Sequence, residues 1–162
     1  MKSRYIVLAV VLLLAGCRQS DAPMPTPDED VREELDDVRQ DLLNVASGRD
    51  QTAPAALAED LRKYVSRPSA VGPVDELSRR TAAALPGRTL TEEAAERLAH
   101  TLWVAVTARD LSERQIEALQ NDVAAQLTAV GVSQDAAGQV AAQVEEVQSA
   151  VTDRQRRWYE MF

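Results

Sequence analysis

The sequence predicts an all-α protein, a bundle of about six helices whose last three run antiparallel. Three observations carry that expectation. Apolar residues recur at spacings of three and four, the mark of a helix with one buried face. Aromatic residues make up 4% of the chain while alanine is abundant, a balance that suits closely approaching helices better than a sheet. From Leu90 onward a 21-residue period repeats, each unit opening with an apolar residue, a hydroxyl residue and then an acid or amide.

The chain opens with Lys2 and Arg4 and no acid, then an unbroken aliphatic run from Ile6 to Leu14. A basic start, a short apolar middle and a small-residue exit describe a secretory signal peptide. The run is shorter than the roughly 20 apolar residues that span a bilayer, which weighs against a retained membrane anchor. It closes on Leu14-Ala15-Gly16-Cys17, and Cys17 is the only cysteine in the protein. These four residues resemble the lipobox of bacterial lipoproteins. The resemblance implies cleavage between Gly16 and Cys17, a diacylglycerol on the Cys17 sulfur and often a further acyl chain, such as palmitate, on the new amino terminus. Two or three chains anchor stably where a single one binds only marginally. The membrane, reached through lipid on Cys17, is thus the first expected partner. Arg18 stands where lipoproteins kept at the inner membrane commonly carry Asp. In a two-membrane bacterium this implies an outer-membrane protein facing the periplasm.

The expected domains are residues 1–16 as signal peptide, 17–27 as lipidated cysteine and tether, and 28–162 as a single helical domain. The tether holds Pro23, Pro25 and Pro27. Extended at about 3.1 Å per residue, it sets the domain about 30 Å from its lipids. The full chain carries a net charge of −8, and loss of Lys2 and Arg4 leaves −10. Such an acidic chain is a poor partner for nucleic acid or anionic head groups. With Cys17 lipidated no disulfide is available, so stability rests on packing.

Asp28 to Ala46 reads as the first helix, with Val31, Leu35, Val38, Leu42 and Val45 on one stripe. Asp28, Glu29 and Asp30 favour its amino end electrostatically, and Gly48 stops it. Glu33, Glu34, Asp36, Asp37 and Asp41 are expected on solvated faces and not in a metal site, which wants converging oxygens, usually from a loop. Pro54 opens a second helix to about Ser66 on Leu57, Leu61 and Tyr64. Pro73 opens a third on Val74, Leu77, Thr81 and Leu85, ended by Pro86-Gly87, with Arg67 to Gly72 as a loop before it.

The repeat then gives Leu90-Thr91-Glu92, Leu111-Ser112-Glu113 and Val132-Ser133-Gln134. Three consecutive helices follow, about Glu92 to Ala108, Glu113 to Ala129 and Gln134 to Arg157. Ser112 with Gln115 makes a capping box, and Leu111 can staple onto Ile116. Because 21 residues also equal three heptads, one continuous rod is the rival; the caps and Gly131 oppose it. The last helix repeats Ala137, Val140, Val144, Val147 and Val151 in a heptad seam. Arg154, Arg156 and Arg157 match the dipole at its carboxyl end, and Trp158 continues the seam, with contact to head groups or a partner as the alternative.

His100 is the only histidine and Glu96 lies one turn before it. A catalytic or metal role needs further ligands or a nearby nucleophile, and no such spacing or phosphate loop is present. No cofactor or metal is expected, His100 reads as structural or solvent-facing, and Trp103 as core. Leu111-Ser112-Glu113-Arg114-Gln115 resembles the L-T-x-x-Q signature of the small periplasmic helical proteins typified by Spy and CpxP, a family of stress-linked chaperones and metal-responsive members. Ala94 and Ala136 replace the glutamine in the first and third copies. The expected function is a lipid-anchored cell-envelope module for interaction or structure, without catalysis and with a protein partner. The alternatives are a chaperone or sensor of the L-T-x-x-Q kind and, more remotely, an enzyme built around His100.

Overall fold

In a computed structural model, residues 29–152 are described and form six helices, α1 (Glu29–Ser47), α2 (Ala53–Lys63), α3 (Pro68–Ala84), α4 (Glu92–Thr107), α5 (Glu113–Ala129) and α6 (Gln134–Thr152). The architecture is an all-α bundle. Gly16, Cys17, the tether and the Arg154–Phe162 tail lie outside the described residues. Among the described residues no helix is long and apolar enough to cross a membrane.

The stripes read from the sequence become the core. Leu35, Val38, Leu42 and Val45 of α1, Leu57 and Leu61 of α2, and Val74 and Leu77 of α3 are buried. So are Leu98 and Leu102 of α4, Leu119, Val123 and Leu127 of α5, and Ala137, Val140, Val144, Val147 and Val151 of α6. Each large aliphatic side chain fully withdrawn from water contributes about 1.5–3 kcal/mol, which offsets the entropy of ordering the chain without any disulfide.

The repeat sets the helix starts. Thr91 Oγ1 accepts from Ala94 N at 3.2 Å and Ser133 Oγ accepts from Ala136 N at 3.3 Å. Ser112 and Gln115 form the full capping box, Gln115 N donating to Ser112 Oγ at 3.3 Å and Ser112 N to Gln115 Oε1 at 2.9 Å. Leu111 and Ile116 beside it are both buried, as a staple requires. Asp110, with φ 56°, turns the chain between α4 and α5, so the rod is replaced by a corner. At the other end of α5, Gly131 N donates to Thr128 O and Val132 N to Leu127 O, both at 3.0 Å. That pair of bonds is a Schellman motif, and Gly131 takes the φ of 89° that a side chain resists.

The third helix departs from the sequence reading. It starts at Pro68, five residues before Pro73, which sits inside it. Pro68 meets the helix at its first turn, where a missing N–H costs nothing. Pro73 gives up only the bond to the Ser69 carbonyl. Gly72 before it has no Cβ, which removes part of the clash that normally bars the α conformation ahead of proline. The expected Arg67–Gly72 loop therefore contracts, and α2 ends at Lys63, short of Ser66.

Successive helices alternate in direction. Lys63 of α2 reaches back to Asp37 of α1 at 3.9 Å, and Arg62 pairs with Asp75 across the next corner. Gln126 of α5 donates to Thr101 of α4 at 2.8 Å. Ser69 at the start of α3 donates to the Ala150 carbonyl near the end of α6 at 3.4 Å. Gly87, at φ 73° in the turn after α3, donates to the Ala46 carbonyl at 2.9 Å and ties α3 to the end of α1. Helix α6 packs against α5, α3 and α4, while α1 packs against α4 and α2.

One buried side chain on α6 serves another helix. Gln148, fully buried, donates from Nε2 to the carbonyls of Ala105 at 2.7 Å and Ala108 at 3.1 Å. Those carbonyls belong to the last turn and the C-cap of α4, where no intrahelical donor remains.

Candidate functional site

The residues expected to carry lipid, Gly16 and Cys17, lie outside the described residues. His100 sits on α4, half-buried, its ring stacked on Trp103 with centroids 5.9 Å apart and planes at 23°. Its Nε2 is buried without a partner among the described residues. Glu96, a turn before it, is exposed, and among the described residues no three His, Cys, Asp or Glu side chains are placed to hold a metal ion. Trp103 itself belongs to the core cluster.

Open grooves mark the surface among the described residues. The first, of about 410 Å³, runs between α2 and α3. Its walls are Pro54, Ala55, Ala58, Ala82 and Ala83, small side chains that leave a shallow apolar trough. Ion pairs rim it. Arg62 holds Asp75, and Glu76 accepts from Arg79 at 2.6 Å and from Arg80 at 2.6 Å. Those hydrogen bonds, first from Arg79 and then from Arg80, hold the Glu76 carboxyl down at about 2. Arg62 with Asp75 is a balanced pair, while Arg79 and Arg80 share the single Glu76 carboxylate, so these groups leave one net positive charge beside the apolar walls. The second groove, of about 270 Å³, lies between α5 and α6 and gathers Glu113, Glu117 and Glu145 around Ile116 and Gln120.

The α1–α2 contact holds the most perturbed ionisable group. Asp41, expected on a solvated face, is 9% exposed. It follows Val38 by three residues and precedes Val45 by four, which places it on the edge of the apolar stripe. That spacing was the signal that could have found it. Burial, then Asp60 across the contact, and then Asp37 and Asp50 push its carboxyl up to about 7. Asp36 and Asp37 are exposed, as the sequence predicts.

The class of molecule these observations define is a six-helix bundle with an apolar trough and a carboxyl pair at one helix contact. No family model, no curated protein and no solved structure matches the chain.

Proposed function

We propose that this chain is a bacterial lipoprotein whose helical domain, held on an envelope membrane by lipid on Cys17, works as a protein-interaction or structural module. One observation carries the reading: the only cysteine ends an apolar run that follows a basic start, directly after Leu14-Ala15-Gly16. The acidic mature chain fits a protein partner better than nucleic acid or anionic lipid. The trough between α2 and α3, apolar and rimmed by ion pairs, is a surface on which such a partner would gain from contact. Arg18 after the cysteine supports an outer-membrane address where two membranes exist.

A second reading, a chaperone of the L-T-x-x-Q kind, draws on the same trough. A surface that holds unfolded chains needs a broad apolar patch. Among the described residues Val71, 36% exposed, is the one large apolar side chain at the surface. The interaction module is therefore preferred, and the reading includes no catalysis.

The test is metabolic labelling with a fatty acid in cells producing the full chain or Cys17→Ser. Label on the parent and none on the variant, with the precursor left uncleaved, is the expected result. Label that persists in Cys17→Ser overturns the reading.

A further inference from the structure

The contact of α1 with α2 brings two carboxyl groups together out of water. Asp41 on α1 is nine-tenths buried, and the Asp60 side chain on α2 is 15% exposed. Lys63, 2.6 Å from Asp60 and 3.9 Å from Asp37, sets Asp60 beside the face of α1 that carries Asp37 and, one turn on, Asp41, and the Asp41 and Asp60 carboxyls act on each other directly. An ionised carboxylate only accepts hydrogen bonds, so two in contact have nothing to exchange and repel. Asp41 Oδ2 receives no donor from any described residue. Asp60 is served from its outer side by Lys63 Nζ at 2.6 Å, whereas Asp41 Oδ2 is not. A single proton resolves the arrangement. Carried on Asp41, it turns one acceptor into a donor aimed at the Asp60 carboxylate.

We infer that Asp41 and Asp60 bind one proton between them and form a latch between α1 and α2, closed while the proton is held and loosened when it leaves to solvent.

The surrounding charges agree with that assignment. From α2 come Asp60 and Lys63, from the connecting loop Asp50, and from α1 itself Asp37, which Lys63 approaches at 3.9 Å. On the α4 side of α1, Glu92 is held by Arg39. Among the described residues no group of α3 acts on Asp41. Burial first, and then the carboxylates of Asp60, Asp37 and Asp50, hold the proton on its carboxyl up to about 7 against an ordinary value of 3.8. The folded chain keeps the proton where the unfolded chain has lost it. The latch is thus fully closed below about 4, weakens as pH rises, and is open once pH passes through about 7.

The experiment is a carbon-13 titration of the Asp41 carboxyl in the full chain, held in detergent, beside the Asp60→Asn variant. The parent midpoint is expected near pH 7. In Asp60→Asn it falls by about one unit or more, because the like charge is gone and the amide can donate. Amide exchange of α2, corrected for its intrinsic pH dependence, should accelerate between pH 5 and pH 8 in the parent. In Asp41→Asn, which mimics the protonated state, it should not. An Asp41 midpoint in the ordinary carboxylate range overturns the inference. So does a raised midpoint that Asp60→Asn leaves in place, since burial alone would then account for it. The titration decides even where Asp41→Asn fails to fold.

Discussion

Replacing Gln148 by Leu tests whether a side chain of α6 finishes α4. The substitution removes the amide and puts two methyl groups on Cγ in its place at a fully buried position. Two buried carbonyls, Ala105 O and Ala108 O, lose their donor at 2.7 and 3.1 Å. Leaving a buried acceptor unpaired costs about 1–3 kcal/mol. Against this, Gln148 Oε1 is itself buried without a partner among the described residues, so its removal returns about 1 kcal/mol. The net expectation is a loss of about 1–5 kcal/mol. The assay is urea denaturation followed by helical circular dichroism, with the midpoint falling and the slope unchanged. Gln139→Leu, at an exposed position on the same helix, is the control and should stay within about 0.5 kcal/mol. A midpoint for Gln148→Leu that holds or rises would refute the reasoning, for it would mean that those carbonyls find water or that the apolar gain outweighs them.

The remaining predictions concern the corners and the carboxyl pair. Ser112→Ala should lower stability by about 0.5–2 kcal/mol, because it removes the acceptor for Gln115 N; an unchanged denaturation midpoint counts against the capping box. Gly131→Ala should cost about 1–2 kcal/mol from backbone strain alone, as no atom lies within 4 Å of the added Cβ; a thermal midpoint equal to the parent's would contradict a left-handed residue there. Between pH 4 and pH 7 the parent should lose stability as pH rises. The shift of Asp41 from 3.8 to about 7 sets an upper limit of about 4 kcal/mol. A parent whose stability is flat across that range does not carry the linkage.

The sequence made most of the helices legible because two independent signals coincided. Helix α5 has the limits Glu113 and Ala129 that a cap at one end and a glycine beyond the other require. Where the signals were single, the reading slipped. Proline in a first turn is the one signal for the start of α3, and of two prolines five residues apart the sequence reading starts the helix at the later one. Pro68 offered the same first-turn chemistry, and Gly72 was the residue that let the helix run through Pro73. Asp41 was missed for a different reason. An acid among acids looks solvated, and only its place between Val38 and Val45 gave it away. Asp60 carried no signal of its own, since its burial depends on how α2 lies on α1. The trough is equally a product of packing: alanines on two helices make a groove only once those helices are set side by side.

Those missed residues share a physical role. Beyond Ala137, the seam of α6 is built from four identical side chains, Val140, Val144, Val147 and Val151. A seam so uniform, facing helices that repeat every 21 residues, packs almost as well when one helix slides by a turn. Apolar burial then supplies stability without choosing a register. A buried polar contact does choose, because its partner exists at one place only. Gln148 meets the last carbonyls of α4 in a single alignment, and Gln126 with Thr101 does the same between α5 and α4. Asp41 with Asp60 sets α2 on α1 in the same way, through a proton that the contact must hold. The feature that hides these residues from a hydrophobic pattern, their polarity on a buried face, is what makes them able to fix where the helices meet.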